Sequence, residues 1–267
     1  MKIEANGISI NYEVHGRGTA LILIHGFGGN LTYWEPQVAA LSRKFRVITY
    51  DRRGCGESGQ PQSGFGYNDF VEDLHQLILK LKVGRAYLLG FSQGGAIALL
   101  TTTRYPEMVK ALILSNSSVD FTTPFTDEER KQAASMIALI EKEGIEKYAR
   151  MFIKSNFSPG LEQRAPAVWD SYYQMLLRSR PETLIGVVKS GLEQRPPELE
   201  LTKVKCPVLF IQGEHDLLVT PERRERAVKS IAGSRMVVLP VGHATAAEAP
   251  DEFNRAVIEF LTECEAE

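Results

Sequence analysis

The chain has 267 residues, of which 43% are hydrophobic and 24% charged, with a formal net charge of -2. That length accommodates one large domain, or one domain with a substantial insertion, and an ample core. A near-neutral balance without a basic stripe speaks against nucleic acid as a partner, and no apolar stretch approaches the ~20 residues that a membrane span needs.

The opening Met1-Lys2-Ile3-Glu4-Ala5-Asn6-Gly7 lacks the apolar centre and small-residue cleavage site of a signal peptide. Cys55, Cys206 and Cys264 are odd in number and scattered, so they form neither a disulfide framework nor a metal spacing. A cytoplasmic protein without metal or cofactor is expected.

Short apolar runs recur along the chain, each closed by a polar or glycine-rich turn. Leu21–Ile24 ends at His25-Gly26, Phe45–Tyr50 at Asp51, Ala86–Leu89 at Gly90 and Ala111–Leu114 at Ser115-Asn116; Val208–Ile211 and Arg235–Leu239 follow later. Runs of this length without alternation predict strands buried on both faces, as in a parallel sheet. Between Asp69 and Leu81 the apolar positions fall at three-four spacing, predicting an amphipathic helix with Asn68 as N-cap and Gly84 as stop. The alternation as a whole predicts an α/β fold with a right-handed, mostly parallel sheet and helices on both faces.

From about Phe121 to Pro197 the rhythm breaks, and no buried strand is expected. Thr126-Asp127-Glu128-Glu129 reads as a capping box, and helical patterns run through Ile145–Phe157 and Pro166–Arg178. Met136, Met151, Phe152, Phe157, Trp169, Tyr172, Tyr173 and Met175 gather here. The stretch reads as a helical insertion between two strands of the sheet.

The chemistry centres on Gly90-Phe91-Ser92-Gln93-Gly94, a G-x-S-x-G between a predicted strand and a predicted helix. Glycines two positions from the serine permit a turn too tight for larger residues, and Gly95 lets the helix approach the sheet. A plain helix N-cap serine is the alternative reading. A nucleophilic hydroxyl needs a base within hydrogen-bond reach. Of the five histidines, His243, just after the last predicted strand, is the candidate; His15 and His75 read as surface residues, and His25 as a turn former. The carboxylate that fixes the imidazole tautomer is assigned to Asp216 in Gly213-Glu214-His215-Asp216, with Glu214 as competitor and Asp120 as a weaker one. The backbone N–H groups of Gln93 and of Phe27, in the loop after Leu21–Ile24, are the candidate donors to a developing oxyanion. Taken alone, the Phe27 loop also fits a flexible connector.

In order along the chain stand His25-Gly26-Phe27-Gly28, Asp51-Arg52-Arg53-Gly54-Cys55-Gly56-Glu57-Ser58, Gly90–Gly95, Gly213–Asp216 and Gly242-His243. Over nearly its whole length the chain thus resembles an α/β-hydrolase-fold enzyme. The resemblance implies an eight-stranded-type, mostly parallel sheet, a core domain from 1–120 and 198–267, and a helical cap from 121–197 over the active site. It also implies a carboxylesterase-like serine hydrolase acting through an acyl-enzyme on a small-molecule ester or lactone, as a monomer or homodimer. Serine at position 92 separates the chain from the dehalogenases and epoxide hydrolases of this fold, which use aspartate there. Enol-lactonases, carboxylesterases and carbon–carbon hydrolases of ring-fission products remain. The last commonly carry methionine where this chain has Gln93, and the cofactor-free haloperoxidases typically show proline where it has Gly28-Gly29. A receptor or signalling role without turnover is the alternative from another class. A substrate carboxylate would call for a cap arginine, among Arg130, Arg150, Arg164, Arg178 and Arg180.

Overall fold

The computed structural model describes residues 1–119, 126–193 and 199–266. Eight strands are present: β1 (Lys2–Ala5), β2 (Ile8–His15), β3 (Ala20–Ile24), β4 (Arg46–Tyr50), β5 (Ala86–Phe91), β6 (Val109–Ser115), β7 (Val208–Gly213) and β8 (Arg235–Leu239). They form one sheet in the order β1-β2-β4-β3-β5-β6-β7-β8. Pairing is parallel from β4 through β8 and antiparallel where β2 meets β1 and β4.

Helices cover both faces. Leu21, Leu23, Val47, Leu89, Ile113 and Ile211 point to the side of α1 (Glu35–Leu41) and α10 (Pro250–Ala266). Ile22, Ile24, Ile48, Leu88, Leu112 and Phe210 point to the side of α2 (Tyr67–Lys80), α3 (Gln93–Arg104) and α8 (Pro221–Ser230). Coverage on both sides is why β3, β5 and β7 are buried at every residue and read as apolar runs, β7 over Val208–Ile211.

The structure corrects several expectations. β8 lies at the sheet edge, so Met236 and Val238 are 39% and 45% exposed, not buried on both faces. α2 begins at Tyr67 with Gly66 as its cap, because the Asp69 carboxylate accepts from the Gly66 N–H at 3.0 Å. Asn68 lies inside the first turn and accepts from Arg104. The helix ends at Lys80, with Lys82 in the left-handed region (φ 50°) before Gly84.

Between β6 and β7 lie α4 (Asp127–Asn156), α5 (Leu161–Arg164), α6 (Pro166–Leu177) and α7 (Pro181–Glu193), the last not marked by the sequence pattern. Thr126 and Glu129 make the expected reciprocal cap, and α4 breaks at Gly144, where φ is 81°. The α6–α7 corner is fastened to the rest of the chain. Arg180 donates to the carbonyls of Ser58 and Gly56, each at 3.0 Å, Thr183 Oγ1 to Gly54 at 2.9 Å and Ser179 Oγ to Gly28 at 2.7 Å. A short α9 (Thr245–Glu248) follows β8. No helix among the described residues is long and apolar enough to cross a membrane.

The turn 51–58 is held from two sides. Asp51 accepts from Asn11 Nδ2 and from the Leu31 and Glu57 N–H groups, all at 2.8 Å. Arg53 forms a bidentate pair with Asp73 of α2, with Nε–Oδ2 at 2.6 Å and Nη2–Oδ1 at 2.5 Å. Both side chains are buried, so Asp73→Ala removes the bidentate counter-charge of the guanidinium, leaving only Asp69 at 3.6 Å, and should cost about 3 kcal/mol. Urea unfolding of the variant checks this; a loss below 1 kcal/mol would show that the pair does not anchor the turn.

Candidate active site

Sheet register decides what meets at the carboxyl edge. Ile24 lies opposite Gly90, Phe91 opposite Ser115, Ser115 opposite Ile211 and Gly213 opposite Leu239. The loops leaving β3, β5, β6, β7 and β8 therefore emerge side by side. Strand order reverses between β3 and β5, so the loop after β3 and the turn after β5 flank the crevice at a topological switch point.

Ser92 sits at the tip of the turn with φ 52° and ψ -118°, a left-handed conformation that side chains rarely adopt. Its N–H donates to the Ser115 carbonyl at 2.8 Å, holding the strained residue in place. The flanking glycines are required by contact. A Cβ at Gly90 would stand 2.2 Å from the Gly94 carbonyl oxygen, and one at Gly94 2.2 Å from that of Ile24.

His243 Nε2 lies 3.0 Å from Ser92 Oγ, and its Nδ1 lies 2.8 Å from Asp216 Oδ2. Asp216 Oδ2 also accepts from Asn116 Nδ2 at 2.9 Å, while Oδ1 accepts from the N–H groups of Leu218 (2.8 Å) and Val219 (3.1 Å). Burial alone would raise the Asp216 pKa. The bond and charge of His243, with the Asn116 and Val219 donors, outweigh it and hold the carboxyl below its ordinary value. Because the folded pKa is depressed, this stabilisation is present above the unfolded value of about 3.9 and is lost as pH falls through the lower folded one.

The competing acids separate by position. Glu214 is exposed, whereas Asp216 is buried against the imidazole. Asp120 lies outside the described residues. His15 pairs with Glu13 on β2, His75 stacks on Tyr105, and His215 is exposed.

Among the described residues, the N–H groups of Phe27 and Gln93 donate to no protein acceptor. Gln93 opens α3, where helix geometry leaves the first N–H groups free. The Phe27 loop is shaped by His25, whose Nδ1 lies 2.9 Å from the Gly26 carbonyl and whose Nε2 accepts from the Arg52 N–H at 3.1 Å. Those partners define a neutral imidazole protonated at Nδ1. Burial and the Arg52 charge hold its pKa well below 6.5.

Sequence reasoning missed the residues that orient these groups. Asn116, in the left-handed region at φ 46°, grips Asp216 and accepts from Thr245 Oγ1 at 2.6 Å. The His243 N–H donates to the Asn156 carbonyl at the end of α4 at 2.7 Å. Glu248, its carboxyl pushed up by burial, joins the Gly242 and Ser158 N–H groups, each at 3.1 Å. The only available signals were single polar residues beside the motifs. No group of three or more His, Cys, Asp or Glu suited to a metal occurs among the described residues.

The strand order and the serine turn define an α/β hydrolase. A family model described as "alpha/beta hydrolase fold" matches residues 19–250, and the chain belongs to that family. It is 30% identical to RutD of Rhizobium rhizogenes, provisionally named a carbamate hydrolase, over 94% of this chain and 97% of that one. The enol-lactonase of Burkholderia xenovorans LB400 superposes with a TM-score of 0.89 at 27% identity, covering 98% of this chain and 100% of the other. A thermophilic esterase from Thermogutta terrifontis gives 0.89 at 28% identity, with 99% of each chain covered.

The neutral His25 yields a pH prediction. Below about pH 6.5 the unfolded chain takes up a proton there that the folded chain does not, so stability falls as pH drops. His25→Gln removes that proton uptake. Its unfolding free energy should fall less steeply between pH 6.5 and 5, by up to about 1.4 kcal/mol per pH unit. Parallel curves for the two proteins would contradict a neutral buried His25.

Proposed function

We propose that the chain is a serine hydrolase that cleaves a carboxylic ester of a small, mostly apolar substrate through an acyl-enzyme. The reading rests on one relay at the free end of the turn: Ser92 Oγ, His243 and Asp216 joined at 3.0 and 2.8 Å. Ser92 Oγ attacks the ester carbonyl while His243 Nε2 takes its proton, and buried Asp216 stabilises the imidazolium. The Phe27 and Gln93 N–H groups receive the oxyanion. The imidazolium then protonates the departing alcohol, and water activated by the same histidine releases the acid.

Helices α4 to α7 serve as the cap in this reading. Phe27 packs beside Phe152, with ring centroids 6.4 Å apart, in a cluster that includes Ile140, Tyr148 and Leu184. The substrate flank beside the oxyanion donors is thus apolar. An uncharged substrate is favoured over a lactone acid, because none of the five cap arginines is buried. Arg180 is bound to core carbonyls, Arg150 lies over the Tyr173 and Trp169 rings, and Arg130, Arg164 and Arg178 are exposed. Met151 of the expected aromatic and sulfur group is 54% exposed.

Ser92→Ala should lower kcat for a p-nitrophenyl ester on the order of 10⁴-fold or more while the melting temperature holds. Retention of a tenth of the activity would remove Ser92 from the nucleophile role. Asp216→Asn should approach the same loss, and Glu214→Gln should stay within about threefold of wild type, as expected of an exposed side chain outside the relay. Equal losses would reassign the acid.

Chain length gives a separate test. Each added methylene that fits the pocket is worth about 1–3 kcal/mol until space runs out, so kcat/KM should climb and then fall with acyl length. A butyrate ester should outpace an acidic enol-lactone on the same preparation. Activity that requires a substrate carboxylate would transfer the assignment to the lactonase class.

A further inference from the structure

We propose that Arg52 is the positioning residue of the oxyanion site, holding both donor segments and placing a fixed positive charge behind them. This rests on the serine-hydrolase reading given above. Within the 51–58 turn, Arg53 has a structural part through its pair with Asp73. Arg52 does something else.

Its side chain is 2% exposed and lies over the Phe70 ring, 4.9 Å from the centroid. Nη2 donates to the Gly26 carbonyl at 2.8 Å and Nη1 to Gln93 Oε1 at 2.8 Å. The Gly26 carbonyl belongs to the same peptide unit as the Phe27 N–H. Donation to that oxygen fixes the plane of the peptide and makes its N–H a stronger donor. His25 Nδ1 at 2.9 Å and the Gly29 N–H at 3.3 Å converge on the same oxygen. Gln93 carries the other N–H, so one planar fork ties the two donor-bearing segments at a fixed separation.

Charge strengthens the argument. Among the described residues no carboxylate lies within ion-pair distance of Arg52, and its buried Nε has no partner. Neighbouring Cys55 is no counter-ion, since burial pushes its thiol up and keeps it neutral. A buried cation without a counter-charge is unfavourable in the resting enzyme. An oxyanion on the far side of the Phe27 and Gln93 N–H groups supplies the missing negative charge. Arg52 is therefore better satisfied in the tetrahedral state than in the ground state, which is the condition for lowering a barrier.

A short alkyl trifluoromethyl ketone, ¹³C-labelled at the carbonyl, tests this because its serine hemiketal places an oxyanion in the site. In wild type, carbon NMR should show an ionised hemiketal near neutral pH that Ser92→Ala does not form. In Arg52→Met the inhibition constant should rise on the order of 10²-fold, with KM for the ester within about threefold. Ionisation of the hemiketal should also move to higher pH, a shift that loss of folded protein does not produce. Arg52→Lys, which keeps a charge but cannot fork, should fall between the two, and decides the matter if Arg52→Met does not fold. Hemiketal ionisation unchanged in the folded Arg52 variants would overturn the role of Arg52 alone. No hemiketal in wild type would overturn the serine-hydrolase reading itself.

Discussion

Everything at this site follows from one strained corner. A serine held at φ 52° between a buried strand and a helix is unfavourable by itself, and it persists because its surroundings over-determine it. β5 is fixed between β3 and β6, the Ser92 N–H is bound across to Ser115, and the glycine positions admit no Cβ. Relaxing the turn would mean moving the centre of the sheet. The hydroxyl is consequently projected from a rigid base, and the start of α3 presents a free N–H beside it.

The remaining parts are brought to that corner by register. Parallel strands of matched length deliver five loops to one edge, and each loop needs only a few polar residues to complete the arrangement. Asp51 ties the loop after β3 to the 51–58 turn through the Leu31 N–H. Ser179 ties the same loop to the α6–α7 corner through the Gly28 carbonyl. His243 is fastened to the end of α4 through Asn156, and Glu248 doubles the link. The helices between β6 and β7 therefore bear directly on both the candidate base and a candidate oxyanion donor, so substitutions there are expected to change turnover as well as substrate choice.

How much of this was legible in the sequence varied with the kind of signal. Short apolar runs located β3 to β7, because burial on both faces leaves few places for polar residues. The β1–β2 hairpin escaped notice: its strands are half-buried and mix Lys2, Glu4, Asn11 and Glu13 with apolar residues. The serine turn was legible because steric demand writes a motif of fixed spacing. The preference for Asp216 over Glu214 rests on burial, which the sequence does not mark, since the two stand two residues apart at the end of one strand. Asn116, Glu248 and Arg52 were invisible for another reason. Each acts through contacts between residues far apart in the chain, and a lone polar residue carries no pattern.

In the proposed reading His243 and Asp216 make Ser92 uniquely nucleophilic. The most direct test treats the protein with an alkyl fluorophosphonate, then weighs the intact chain and maps the modified peptide. The account predicts one adduct per chain, on the peptide carrying Ser92, forming far more slowly after His243→Ala. An unmodified wild-type chain, or an adduct on another residue such as Cys55, would contradict it.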